Sequence, residues 1–242
     1  MRRGLPFTID EESGRHAVKV GDGSTLVCLD NLKRDVASDG DTGRVSRFVD
    51  DIVASLSAFD TTLSADQLYW CLEPSDYKQR ADFCVAMSDR VDRVLIHLSS
   101  DGRLITWITP AMLSSLGLSE SDAGTRAFTN LGRALSKATI ESNDIDGVQL
   151  GFISTSLPFK TALILAPNFR EVVGAVLGWP IMAVVPTRGF LYLWAAQHTD
   201  FVQRIGEVVV REYSQTAHPV STEVYEITDQ AIRAIGEFPT QA

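Results

Sequence analysis

Four histidines, His16, His97, His198 and His218, are the side chains best suited by type to move a proton near neutral pH or to hold a metal. Their spacing contains no HxH, HxxxH or HExxH, so no single helix can present two imidazoles to one ion. Three cysteines, Cys28, Cys71 and Cys84, form no CxxC pair, and each sits among apolar neighbours where a thiol packs as a small hydrophobe. An odd, sparse count also argues against a secreted disulfide framework. The phosphate loop GxxxxGK[ST], the dinucleotide signature GxGxxG and the nucleophile elbow GxSxG are all missing from the sequence. No cofactor and no metal are therefore expected. A hydrolytic site built from sequence-distant Ser, His and Asp residues stays open, because such sites are recognised by geometry.

Two acidic loops resemble calcium loops at first sight. Counting from Asp39 puts Arg44 at the sixth place, where glycine is needed, and counting from Ser142 puts Ile153 at the twelfth, where glutamate is needed. Both read as turns and caps. Adjacent carboxylates such as Asp50-Asp51 and Glu11-Glu12 point in different directions along a helix and read as solvated charges. Arg188 is the one candidate binding residue. It sits in a proline turn, Pro186-Thr187-Arg188-Gly189, that would hold its guanidinium at a fixed tip, ready to pair a carboxylate through two parallel bonds. The alternative is an arginine that braces the turn.

The elements that must position these groups follow from periodicity. Short strands are expected over residues 7–9, 16–20 and 25–29, then a helix in which Val45, Phe48, Val49, Ile52, Val53 and Leu56 form one buried face. That reading makes Phe48→Ala a core cavity. Ser64 and Gln67 suggest a capping box opening a helix to Leu72. Strands over 82–87 and 92–99 lead through Ser100-Asp101-Gly102 into a hairpin partner over 104–108. Thr109-Pro110 opens a helix that Gly117 closes, and Ser119 or Ser121 opens another with Ala127, Leu131 and Leu135 inward. Strands follow over 148–155, 159–165, 181–185, 190–195 and 222–227, with helices over 167–177, 200–213 and 229–235. On strand 190–195, Phe190, Tyr192 and Trp194 share a face and read as core.

Hairpins mixed with helices indicate an α+β fold with a largely antiparallel sheet. The polar stretch 139–147 is the expected boundary between an N-terminal half, 1–140, and a C-terminal half, 148–242, with one continuous domain as the alternative. A short echo between Leu29-Asp30-Asn31-Leu32 and Phe128-Thr129-Asn130-Leu131 leaves two similar subdomains open.

The chain has 242 residues, with 22 Lys and Arg against 31 Asp and Glu, a formal net charge of −9. An acidic protein without a basic stretch is repelled by phosphate backbones, so nucleic acid is an unpromising ligand. The longest apolar region, residues 172–185, has fourteen residues and is interrupted by Trp179-Pro180. Spanning a bilayer takes about 20 apolar residues, so no membrane span is expected. The two arginines at the amino terminus precede no apolar stretch, which argues for a cytoplasmic protein.

In order along the chain, Leu29-Asp30-Asn31-Leu32, Ile108-Thr109-Pro110-Ala111-Met112-Leu113, Leu116-Gly117-Leu118-Ser119, Ala127-Phe128-Thr129-Asn130-Leu131 and Val185-Pro186-Thr187-Arg188 resemble the YtpQ-like bacterial proteins, a domain of unknown function. The resemblance implies an α+β domain and supplies no activity or catalytic residues. It departs at Gly189, where the family pattern has an acidic residue after Pro-Ser/Thr-Arg. Two readings of function remain. An acidic, non-catalytic module would bind a protein partner of basic character, as an accessory, regulatory or immunity-like factor. The alternative is a hydrolase with a dispersed site, or a small-molecule sensor. The oligomeric state is not legible.

Overall fold

The computed structural model describes residues 63–76, 81–102, 105–216 and 218–240 in full. Before these it describes residues 32, 36, 37 and 40–50 with their side chains, and three strands and residues 51–57 by backbone alone. Expectations resting on Cys28, Leu29-Asp30-Asn31 and Asp39 lie outside the described residues.

Two compact units result, 1–61 with 215–217 and 62–214 with 218–242. In the first, strands β1 (Phe7–Asp10), β2 (Arg15–Val20) and β3 (Gly23–Val27) form an antiparallel sheet, and helix α1 covers Gly43–Ser57. Asp41 opens α1 by accepting from the Gly43 N–H at 2.9 Å and by pairing with Arg47. Over its described part the expected buried face of α1 is corrected, since Val45 is 44% and Val49 39% exposed and Phe48 is only half-buried; Ile52, Val53 and Leu56 lie outside the described side chains. Periodicity identifies the apolar side of a helix without saying what covers it, and Phe48 is not fully enclosed.

The second unit holds two antiparallel sheets. In the smaller, β6 (Val91–Leu98) is central, with β4 (Leu68–Pro74) on one edge and both β5 (Cys84–Ala86) and β7 (Ile105–Trp107) on the other. The larger contains β8 (Thr139–Ile145), β9 (Val148–Ser154), β10 (Ile181–Thr187), β11 (Phe190–Ala195), β12 (Glu223–Ile227) and β13 (Ile232–Glu237), in the order β13-β12-β10-β11-β9-β8. This is the α+β, antiparallel fold class that the alternation of hairpins and helices indicates.

Alternation along the strands divides the interior. On β10, Ile181, Ala183 and Val185 face a core that also contains Leu68, Leu72 and Leu95 of the smaller sheet. Met182 and Val184 face the other way, with Tyr192 and Trp194 of β11, and meet Phe201, Ile205 and Val209 of helix α4 (Phe201–Gln215). Helix α2 (Pro110–Leu116) starts at Thr109, whose side chain accepts from the Met112 N–H, and ends at Gly117. Helix α3 (Glu120–Leu135) starts at Ser119, whose hydroxyl accepts from the Asp122 N–H at 3.1 Å. Its fully buried residues Ala123, Ala127, Leu131 and Leu135 recur every four positions. Trp70 of β4 donates its indole N–H to the Gly124 carbonyl at 3.1 Å. A Cβ at position 124 would stand 3.2 Å from that ring, so glycine admits the close approach. Asn130 fixes the same contact by donating to the carbonyls of Ala65 at 3.0 Å and Leu68 at 2.9 Å.

Four further expectations are corrected. The Ser64 helix is one 3₁₀ turn, Ala65–Gln67, because the residues after it pair with β6. Residues Lys160–Leu165 are 3₁₀ helix rather than strand, and Arg170–Gly174 is a π turn leading into Ala175–Leu177. Residues 229–235 are not a helix, since Ile232–Glu237 pairs with β12. The stretch 139–147 is no boundary between 1–140 and 148–242: β8 pairs with β9 over seven positions inside the second unit. Polar alternation on an exposed strand had the look of a linker. Leu131→Ala removes a fully buried side chain and is expected to cost about 2–5 kcal/mol in urea titration. A loss near zero would contradict the α3 core.

Candidate functional site

The charged groups missed by motif reading come together where the smaller sheet meets β10 and β12. Glu73 at the end of β4 is 2% exposed, and Arg188 in the β10–β11 turn is 17% exposed. One guanidinium nitrogen of Arg188 donates to both Glu73 carboxylate oxygens, at 2.7 and 2.8 Å. The turn is held from both sides: the Arg188 N–H donates to the His218 carbonyl at 3.0 Å, and the Thr161 hydroxyl donates to the Arg188 carbonyl at 3.1 Å. The second terminal nitrogen of Arg188 lies 3.4 Å from His218 Nδ1. Arginine has only donors, so Nδ1 is the acceptor.

Glu73 stands directly opposite Asp92 of β6, which puts two carboxylates on one sheet face. Both are buried. Arg188 compensates Glu73, while the Cys84 thiol donates to Asp92 at 3.1 Å. Cys71, on the same face two residues before Glu73, donates to it at 3.6 Å. Burial, with the Glu73 charge next, pushes the Cys71 thiol well up, so it stays protonated and is no nucleophile.

A third carboxylate, Glu223 of β12, is 5% exposed. Its Oε2 accepts from the hydroxyls of Ser88 at 2.6 Å, Tyr225 at 2.6 Å and Ser221 at 3.2 Å. Burial, then the bond to Glu223, drives the Tyr225 phenol far up, which keeps it a donor. Ser88 Oγ in turn accepts from the Val91 N–H at 3.1 Å. Beside this cradle opens a cleft of about 460 Å³, lined by Asp89, Arg90, Glu223, Ala234, Gly236 and Glu237. Arg90 crosses it to pair with Glu237 at 3.3 Å, both exposed.

A serine hydroxyl on a carboxylate is the start of a nucleophile and base pair. Here three hydroxyls converge on one carboxylate oxygen, and Ser88 is one donor among them. The arrangement therefore suits a structural anchor.

The candidate Arg188 thus lies at the seam with one guanidinium nitrogen on an internal carboxylate. His97 is buried on β6, and its Nε2 accepts from the Ser64 N–H at 3.3 Å. His198 lies beside Gln197 before α4, away from His97 in the sequence and bonded locally. Of the two acidic loops, Asp144 accepts from the Gly147 N–H at 2.9 Å and Asp41 caps α1, so both serve as turn and cap residues. Among the described residues no group of three or more His, Cys, Asp or Glu side chains is placed to hold a metal ion. No helix among them is long and apolar enough to cross a membrane. Motif reading missed Glu73, Asp92, Ser88 and Glu223. The one signal for three of them was an acid inside an apolar strand run: Cys71-Leu72-Glu73, Val91-Asp92-Arg93 and Glu223-Val224-Tyr225.

Removing one member of a buried pair strands the other charge, so Arg188→Ala is expected to cost about 3–5 kcal/mol in denaturant titration. An effect under about 1 kcal/mol would show that the pair bears no load. Burial holds the His97 imidazole below its ordinary value of 6.5. The unfolded chain therefore takes up a proton first as pH falls, so stability present above pH 6.5 is lost below it. His97→Gln is expected to flatten that decline in melts recorded from neutral to mildly acidic pH; a decline of unchanged slope would remove His97 as its source.

No family model, curated protein or solved structure matches the chain.

Proposed function

We propose that this is a non-catalytic, cytosolic protein-interaction module that holds a basic protein partner in an accessory or regulatory role. The observation that supports this reading best is how the potent groups of the seam are committed. Glu73 is bound by Arg188, Glu223 by three hydroxyls, and the Cys71 thiol is held protonated. Chemistry needs such groups poised toward a substrate; here they fasten one sheet to the other. The formal net charge of the chain is −9, which attracts basic surfaces at low ionic strength.

The rival hydrolase reading has one specific contact in its favour, Ser88 Oγ on Glu223 Oε2 at 2.6 Å beside a cleft. A serine-directed fluorophosphonate separates the two. The module reading expects Ser88 to stay unlabelled, and expects a basic protein to copurify from the native cytoplasm at low salt and to leave at high salt. Labelling of Ser88 that Glu223→Gln abolishes would instead establish the nucleophile, and a partner indifferent to salt would remove the electrostatic basis.

A further inference from the structure

Strand β8 is the last strand of the larger sheet, and its outer edge pairs with nothing among the described residues. Its register with β9 runs without a break from Thr139↔Ser154 to Ile145↔Val148. Asp146 and Gly147 between them have φ of 50° and 83°, the two-residue turn whose twist matches that of paired strands. In that turn the flanking pair, Ile145 and Val148, exchanges the ladder hydrogen bonds. The alternate residues Asp144, Ser142 and Ile140 therefore aim their backbone N–H and C=O groups outward. Every residue of β8 except Ile140 is exposed.

Native sheets blunt a free edge with a bulge, a proline or charged side chains, lysine above all. The opposite edge, β13, follows that rule: its register with β12 shifts between Val224 and Tyr225, which leaves Ile235 opposite no residue. β8 has no bulge, no proline and no lysine, and the charge it carries is negative throughout. Asp146 is paired with Arg204 at 2.5 Å, whereas Glu141 and Asp144 have no cationic partner among the described residues. Asp144 is held in place by the Gly147 N–H and the Gln149 amide, both at 2.9 Å. Two such edges repel each other, which disfavours a second copy of this chain. Opposite charges across a strand pair attract.

We propose that β8 is a docking edge for an extended basic segment of a partner protein, which adds to the sheet as a seventh strand. This rests on the interaction-module reading and names its surface. Glu141 and Asp144 are three residues apart and lie on opposite faces, so the segment has Lys or Arg three residues apart, one on each face. Backbone bonds supply the affinity and the two charges the selection.

The test uses the full chain and a capped peptide, Thr-Lys-Val-Thr-Lys-Val, followed by fluorescence anisotropy and amide NMR. Binding is expected to shift and protect the amides of Ile140, Ser142 and Asp144 together. Ser142→Pro removes an outward donor and leaves the β9 ladder intact; it is expected to weaken binding about ten-fold. Glu141→Lys is expected to weaken it similarly, with recovery when only the peptide lysine that faces position 141 becomes glutamate. No peptide binding, or binding unchanged in Ser142→Pro, overturns the proposal. A concentration-dependent dimer that Ser142→Pro abolishes also overturns it, by making a second copy the occupant. If a salt-sensitive basic partner copurifies equally with Ser142→Pro, the edge fails and the module reading stands. If the peptide docks on β8 but no basic partner exists in the cytoplasm, the module reading fails alone.

Discussion

Glu73 and Arg188 lie 115 residues apart in sequence, one at the end of a strand in the smaller sheet and one in a turn of the larger. Bringing both out of water costs several kcal/mol per ion, which their attraction offsets only when geometry is good and the remaining polar atoms are bonded. Both carboxylate oxygens are engaged, and the backbone of Arg188 is clamped through His218 and Thr161. Hydrophobic contact between two sheets tolerates sliding; a buried ion pair does not, because any shift leaves a charge unpaired. The pair thereby fixes one relative placement, and with it the loop that sets Ser88 against Glu223.

A second consequence concerns Asp92. Opposed to Glu73 across the β4–β6 ladder, it would destabilise a bare strand pair. Arg188 turns the arrangement from two negative charges into a net of one, and Cys84 donates to the other carboxylate. The smaller sheet thus depends on a cation supplied by the larger, which ties their folding together within one unit.

Sequence periodicity disclosed the parts of the fold ruled by local physics. Thr109-Pro110, Ser119 and the 127, 131, 135 stripe announce α2 and α3 because caps and four-residue spacing act within a few residues. It failed where pairing overrode propensity. Ile232–Glu237 resembles a helix until β12 lies beside it, and Leu68–Leu72 obeys β6 rather than the Ser64 cap. The seam was illegible for a related reason: Glu73, Asp92 and Glu223 are ordinary acids one by one, and only strand register brings their partners near. The stripe of α1 shows the converse limit, a clear pattern whose described half faces solvent at Val45 and Val49.

The residues that carried the likeness to a family of unknown function do mechanical tasks in this chain. Thr109 caps α2, Asn130 clips α3 to the start of β4, and Arg188 joins the sheets. Arg188 takes its counter-charge from Glu73 of β4, so it ties the turn to the other sheet rather than bracing its own hairpin. A motif read one residue at a time cannot distinguish these, because the difference lies in which distant strand supplies the counter-charge.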